Sequence, residues 1–238
     1  RPILGKHTDG LLGRLIDLLA VFALLAGTAT TFSLATPLMT NIINELFHLQ
    51  LNPIIITISI LIVTCFIYTY SLLHGFKGIS FLAKSCIYLF FALLAYVLFF
   101  GGETQYIIET GFSALGRMIQ NFFGLATYTD AQRTTSFPQN WTIFYWAYWM
   151  VWCVAAPFFI GNISKGRTVR QTIFGGYVFG VGSTIISFII LGNYSLGLQV
   201  NGVADFISIY QQTGSLYQVI IEIIRTLPLA PLVLILLL

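Results

Sequence analysis

All four tryptophans of this chain lie in one short stretch, NWTIFYWAYWMVWC, residues 140–153. Trp141, Trp146, Trp149 and Trp152 are interleaved there with Tyr145 and Tyr148. Side chains of this type can do one distinctive kind of chemistry. A π face attracts a cation, and several faces around one point make an aromatic cage for a quaternary ammonium, which carries no hydrogen-bond donor of its own. The spacing puts most of them on one side of a helix. Positions 141, 145, 148, 149 and 152 are offset by 0, 4, 7, 8 and 11, and so share a face, with Trp146 flanking it.

The elements that must position this face are set by composition. Of 238 residues 57% are hydrophobic and only 8% are charged, and the mean hydropathy is +0.88. Soluble domains carry about a quarter charged residues, so most of this chain is expected to be solvated by lipid. The net charge of +3 is small and scattered, which argues against a nucleic-acid partner. Cys65, Cys86 and Cys153 each sit inside an apolar run and are expected to be free buried thiols, neither a disulfide frame nor a metal set. No nucleophile–base pair, metal-ligand spacing or glycine-rich phosphate loop stands out, so an enzyme is not expected and no cofactor is implied.

Long apolar stretches predict an all-α, polytopic transmembrane bundle. Expected spans cover 15–46, with a bend at Pro37, then 53–73, 79–100, 141–163 and 169–191, each near or above the roughly 20 residues a spanning helix needs. A sixth begins at 228 and reaches 238 within an apolar run, as expected of a piece of a longer membrane protein. Residues 106–126 place Ile107, Phe112, Leu115, Met118, Ile119, Phe122 and Phe123 at three- and four-residue steps, the pattern of an amphipathic helix on the membrane surface. Residues 205–225 suggest a second, shorter one. Gly176 and Gly180 stand in GxxxG spacing beside Gly175 and Gly182, a pattern of close helix packing.

Alternating spans give every loop a side. Arg1, Lys6, Arg14, Lys77, Lys84, Lys165, Arg167 and Arg170 share one side, and Arg117, Arg133 and Arg225 share the other. That split of 8 to 3 among 11 basic residues predicts a cytoplasmic N-terminal side in a cell membrane. His7, His48 and His74 fall in or near loops and suggest no role.

In such a bundle the aromatic stripe from Trp141 to Trp152 rises about 16 Å, roughly half the hydrocarbon core. An interfacial belt suits Trp141 and Tyr145 but not Trp152, which falls near mid-membrane. Core packing is a second reading, although Leu or Phe would pack without burying indole N–H groups. The pattern by itself leaves open a ligand cage or packing combined with a belt.

The segment WTIFYWAYWMVW, followed by ISKGRTVR, resembles the betaine/choline/carnitine transporter family, whose eighth span reads F-Y-W-A-W-W before an R-I-S-R-G-R-T-[VI]-R loop. The opening RPILG, the AGT at Ala26–Thr28 and the NFFGLA segment resemble the same family in order along nearly the whole chain. The resemblance implies spans five to ten of a twelve-span carrier, part of a LeuT-type five-plus-five inverted-repeat fold. Substrate then sits near the midplane between repeats. It implies a secondary transporter, symporter or exchanger, of quaternary-ammonium compounds such as glycine betaine, choline or carnitine.

Carried over by position, the cage falls on Tyr148, Trp149 and Trp152, with Trp146 and Tyr145 as neighbours and Trp141 toward the external mouth. Tyr148 stands where the family has tryptophan. A phenol is a weaker π donor than indole but adds a hydroxyl, which could shift the preferred ammonium compound. Of the paired hydroxyls that hold sodium in sodium-coupled members, Thr28 matches one and Leu24 stands at the other; a further contact falls on Ala155, and Asn162 replaces a basic residue. Na⁺ is hard and wants oxygen ligands. Sodium, proton or exchange coupling therefore stay open, and Thr28, Thr30, Thr31 and Ser33 read equally as packing hydroxyls. Subunit number is open, a homo-oligomer included. The competing classes are a non-transporting sensor or structural subunit, and another inverted-repeat transporter with a different substrate.

Overall fold

The computed structural model describes residues 5, 10–48, 52–153 and 156–238, without the side chains of residues 76, 158 and 159. Arg1, Lys6, His7 and Ala155, named above, lie outside the described residues. All regular structure among the described residues is helical.

Helix α1, Leu11–Phe47, carries Pro37 in its interior without ending there. A proline removes one backbone donor and so frees the carbonyl four residues back, that of Ser33; a separate hydrogen bond runs from Asn41 Nδ2 to the Pro37 carbonyl at 2.7 Å. Helix α2, Pro53–Leu73, starts on two matched signals. Proline fills the first position, where its missing N–H costs nothing, and Asn52 Oδ1 accepts from the Ile54 amide at 3.0 Å. Helix α3 is Gly75–Phe100. The surface segment is two helices, α4 Thr104–Gln120 and α5 Phe122–Ala126, broken at Asn121. After a loop, a π-helical turn at Pro138–Ile143 leads into α6, Phe144–Trp152, and α7 follows at Ala156–Ile163. The expected span over 141–163 thus includes residues 154 and 155, outside the described residues.

Helix α8 runs Val169–Val200, past the expected end at Leu191. Its start is a capping box: Thr168 Oγ1 accepts from the Gln171 amide at 3.2 Å while Gln171 Oε1 accepts from the Thr168 amide at 3.0 Å. Its interior includes π-helical turns at Gly176–Val181 and Phe188–Gly192. Helices α9, Phe206–Thr213, α10, Leu216–Arg225, and α11, Ala230–Leu237, complete the chain. Helices α1, α2, α3 and α8 are long and apolar enough to cross a membrane.

The chain divides into two compact units, residues 1–33 with 121–177 and residues 34–120 with 178–238. The second unit holds a core in which Ile42, Leu94, Val97, Ile107, Tyr194 and Val233 are almost wholly buried. Glycines let its helices approach. A Cβ on Gly111 of α4 would stand 2.4 Å from Ile189 Cγ2 of α8, and one on Gly197 would stand 2.9 Å from Tyr106 Cδ1. By contrast, a Cβ on Gly175, Gly176, Gly180 or Gly182 would meet nothing within 4 Å among the described residues. Of the buried polar groups in this unit, Asn44 Oδ1 has no hydrogen-bond partner among the described residues, whereas Tyr194 pairs with Thr226. Thr226 Oγ1 donates to the Ile223 carbonyl at 2.6 Å, so the hydrogen of its 2.7 Å contact with Tyr194 comes from the phenol. Arg225 bridges Glu45 and Glu222 at the surface; such exposed pairs contribute little to stability. The three cysteines are free, but exposed rather than buried, because the apolar runs that carry them face outward from the chain.

In the first unit the loop before the aromatic stretch is tied by one carboxylate. Asp130 Oδ1 accepts from the amide and hydroxyl of Thr134, and Oδ2 from the amide and hydroxyl of Thr135 and the amide of Ser136, at 2.9–3.1 Å. Asp130, Arg133 and Ser136 hold φ of 47°, 53° and 53°. L-residues rarely adopt that region, and the concentrated hydrogen bonding over-determines it. The same hydrogen bonds, chiefly from the Thr135 amide, hold the Asp130 carboxyl far below the usual carboxylate range.

Two outcomes are expected. Gly111→Ala should lower stability by about 1–3 kcal/mol, because Ile189 must move, and thermal unfolding of the purified protein would read it; an unchanged Tm would contradict the contact. The Asp130 pKa is lowered on folding, so its stabilisation is full above the unfolded value of about 3.9, declines progressively below it, and is gone once pH has fallen through the folded one. Hydrogen exchange of the Thr134–Ser136 amides, corrected for intrinsic rates, should show constant protection from pH 7 down to about 4. Protection should fall in Asp130→Asn, which offers one acceptor oxygen in place of two.

Candidate functional site

The aromatic stretch begins in the π-helical turn and continues as regular α6. Gln139 Nε2 donates to the Thr129 carbonyl at 2.9 Å, tying that turn to the Asp130 loop. In a π turn the backbone pairs i to i+5, so the angle from Trp141 to Tyr145 is not that of a uniform α-helix. The shared face therefore holds for Tyr145, Tyr148, Trp149 and Trp152. Trp141 belongs to the turn and is half-exposed.

Rings along α6 touch in series. Tyr145 and Trp149 have centroids 6.0 Å apart at 57°, and Tyr148 and Trp149 5.9 Å apart at 79°, nearly edge to face. Phe144 stacks on Tyr148 at 6.0 Å and 19°. These are the geometries that aromatic quadrupoles favour. Phe144 was not singled out from the sequence, although its four-residue step to Tyr148 was a signal for it.

One edge of this face packs on α1, and it does so in two rungs. Gly27 is buried, and a Cβ there would stand 2.9 Å from Val151 Cγ1 and 3.3 Å from Trp152 Cε2. One turn further along α1, Thr31 Oγ1 meets the Tyr148 hydroxyl at 2.6 Å. The partner numbers rise along α1 as they fall along α6, so the two segments run antiparallel. Glycine at position 27 leaves room for Val151, which a Cβ would crowd most, and for the Trp152 indole beside it. Gly27 and Thr31 are the contacts that sequence reasoning missed as a pair, because nothing local links positions more than a hundred residues apart.

The other edge faces outward. Trp149 is 54% exposed and Trp146 70%, and Tyr145 is half-exposed. Among the described residues, Tyr148 and Trp152 pack on α1, while Tyr145, Trp146 and Trp149 stay at least half exposed.

The hydroxyls of α1 are mostly engaged with their own helix. Thr28 Oγ1 donates to the Leu24 carbonyl at 2.8 Å, Thr30 to Ala26 at 2.8 Å and Thr31 to Gly27 at 2.9 Å. Such back-bonding is ordinary for hydroxyls in membrane helices. Thr28 keeps its oxygen lone pairs, and Leu24 adds no side-chain oxygen beside it. A hard cation takes about six oxygens, so these two positions supply one ligand and not a cage.

The family model described as BCCT, betaine/carnitine/choline family transporter, matches residues 1–238. Among the described residues the regular structure is helical, with four helices long and apolar enough to span, which is consistent with the LeuT-type fold and with a multi-pass membrane protein. The match extends over the whole sequence, and the chain belongs to the betaine/carnitine/choline transporter family.

Proposed function

We propose that the protein carries a quaternary-ammonium compound, glycine betaine, choline or carnitine, by alternating access, and that the α6 aromatic row receives its cationic head. Family membership supplies the transport class. The observation that carries the binding reading is the outward half of the row, where Tyr145 and Trp149 lie tilted at 57° to one another and both are about half-exposed. A trimethylammonium group spreads its charge over methyl surfaces and gains most from several π faces at once. Trp149 is the central face in this reading, Tyr145 and Trp146 flank it, and Tyr148 and Trp152 fix its backing against α1. Trp141, in the turn before α6, guards the external approach. The N-terminal side is cytoplasmic in this scheme, by the charge split.

Coupling follows sodium, proton or exchange. Thr28 is the residue of α1 that would contribute a sodium ligand, and further oxygens would have to come from elsewhere.

The test is binding and uptake in proteoliposomes of the whole carrier. Trp149→Leu should weaken substrate affinity by about ten- to a hundred-fold, from loss of a desolvated cation–π contact, while leaving the thermal midpoint within a few degrees. Trp152→Leu should weaken it as well, through the lost backing. Unchanged affinity in Trp149→Leu removes the cage from this helix.

A further inference from the structure

The contact between Thr31 and Tyr148 has a direction. Each hydroxyl has a single hydrogen and two lone pairs. Thr31 Oγ1 donates its hydrogen to the Gly27 carbonyl at 2.9 Å, so the hydrogen in the 2.6 Å contact must come from Tyr148. The phenol is thereby spent as a donor, and its oxygen is left as an acceptor at the edge of the aromatic row. Neither residue is buried out of reach: Thr31 is exposed and Tyr148 partly so.

We propose that Thr31 is a positioning residue, acting through Tyr148, that biases the site toward quaternary-ammonium alcohols and against quaternary-ammonium carboxylates. This rests on the reading of α6 as the ammonium site. An alcohol such as choline brings a hydroxyl donor that the phenol oxygen can accept. A carboxylate such as glycine betaine brings only acceptor oxygens, and with the phenolic hydrogen held by Thr31 it finds no donor there. It faces instead the lone pairs of a like acceptor. A tryptophan at this position would show a different pattern, since indole offers a donor and no acceptor. Tyrosine at 148 and threonine at 31 thus work as a pair.

The test compares binding of choline, glycine betaine and tetramethylammonium to the purified whole carrier. Tetramethylammonium has neither hydroxyl nor carboxylate and reports the aromatic row alone. In Thr31→Val the phenolic hydrogen is released, so the choline-to-betaine affinity ratio should fall roughly five-fold, the size of one hydrogen bond, while tetramethylammonium affinity holds. Tyr148→Phe should lower the ratio as well by removing the acceptor, and adding Thr31→Val to it should change the ratio no further. Thr31→Ser, which keeps the hydroxyl, should restore the original ratio. A role confined to packing would shift all three ligands together. A ratio unmoved in both Thr31→Val and Tyr148→Phe, with tetramethylammonium still bound through Trp149, overturns this proposal and spares the aromatic site. Loss of the ratio in Tyr148→Phe alone also overturns it, since the phenol would then act without Thr31. Failure of all three ligands to bind the unaltered carrier overturns the aromatic site and this proposal with it.

Discussion

In a chain solvated by lipid, every backbone N–H and C=O must find its partner inside the protein, because no water is there to take it. That constraint makes the fold helical before any particular contact is considered. It also explains how polar side chains are used. Threonines and serines along α1 return their hydroxyls to their own helix, as Thr28 does to Leu24 and Ser33 to Thr30. Where the chain leaves the helix it carries its own substitutes. Asp130 gathers five donors in the loop before the aromatic stretch, and Asn52 and Thr168 cap the helices that follow them.

Once the backbone is satisfied within each helix, what remains is how closely helices approach. Lipid tails are as apolar as leucine, so burial of apolar surface does not by itself draw membrane helices together. Small residues and shared hydrogen bonds do. Gly111 against Ile189, Gly197 against Tyr106, and Gly27 against Trp152 are such approaches, and Tyr194 with Thr226 and Tyr148 with Thr31 are the hydrogen-bonded counterparts. The aromatic row is built from the same elements. A glycine and a hydroxyl on α1 hold one edge of α6, and among the described residues the other edge stays at least half exposed. A binding face and a packing face can then share one helix without competing for the same rings.

Much of this is legible in the residues. Long apolar runs announce helices, the N-P of Asn52 and Pro53 announces a helix start, and T-V-R-Q at 168–171 has the spacing of a capping box, although it read first as part of a basic loop. The aromatic row is legible from its three- and four-residue steps, and Phe144 was within reach of the same rule. Other features misled. The glycines at 175, 176, 180 and 182 carry a GxxxG motif yet face no neighbour among the described residues, while Gly27, Gly111 and Gly197, which do permit close approach, stand in no GxxxG pair. Cysteines in apolar runs suggested burial, but in lipid an apolar face can be the outer face. Regular helical spacing put Trp141 with the other rings, and a π turn shifts its angle.

The sequence by itself determined the class: a membrane-spanning helical chain of this transporter family, with an aromatic row on one helix. It could do so because hydropathy, helical period and caps are local, set within one or two turns of chain. Which rings of that row turn inward and which stay open was decided only by the tertiary structure. So was the identity of the hydroxyl that accepts a hydrogen bond from Tyr148. Those depend on α1 meeting α6 across a separation of 117 residues. No periodicity in either segment encodes which residue of the other will stand opposite.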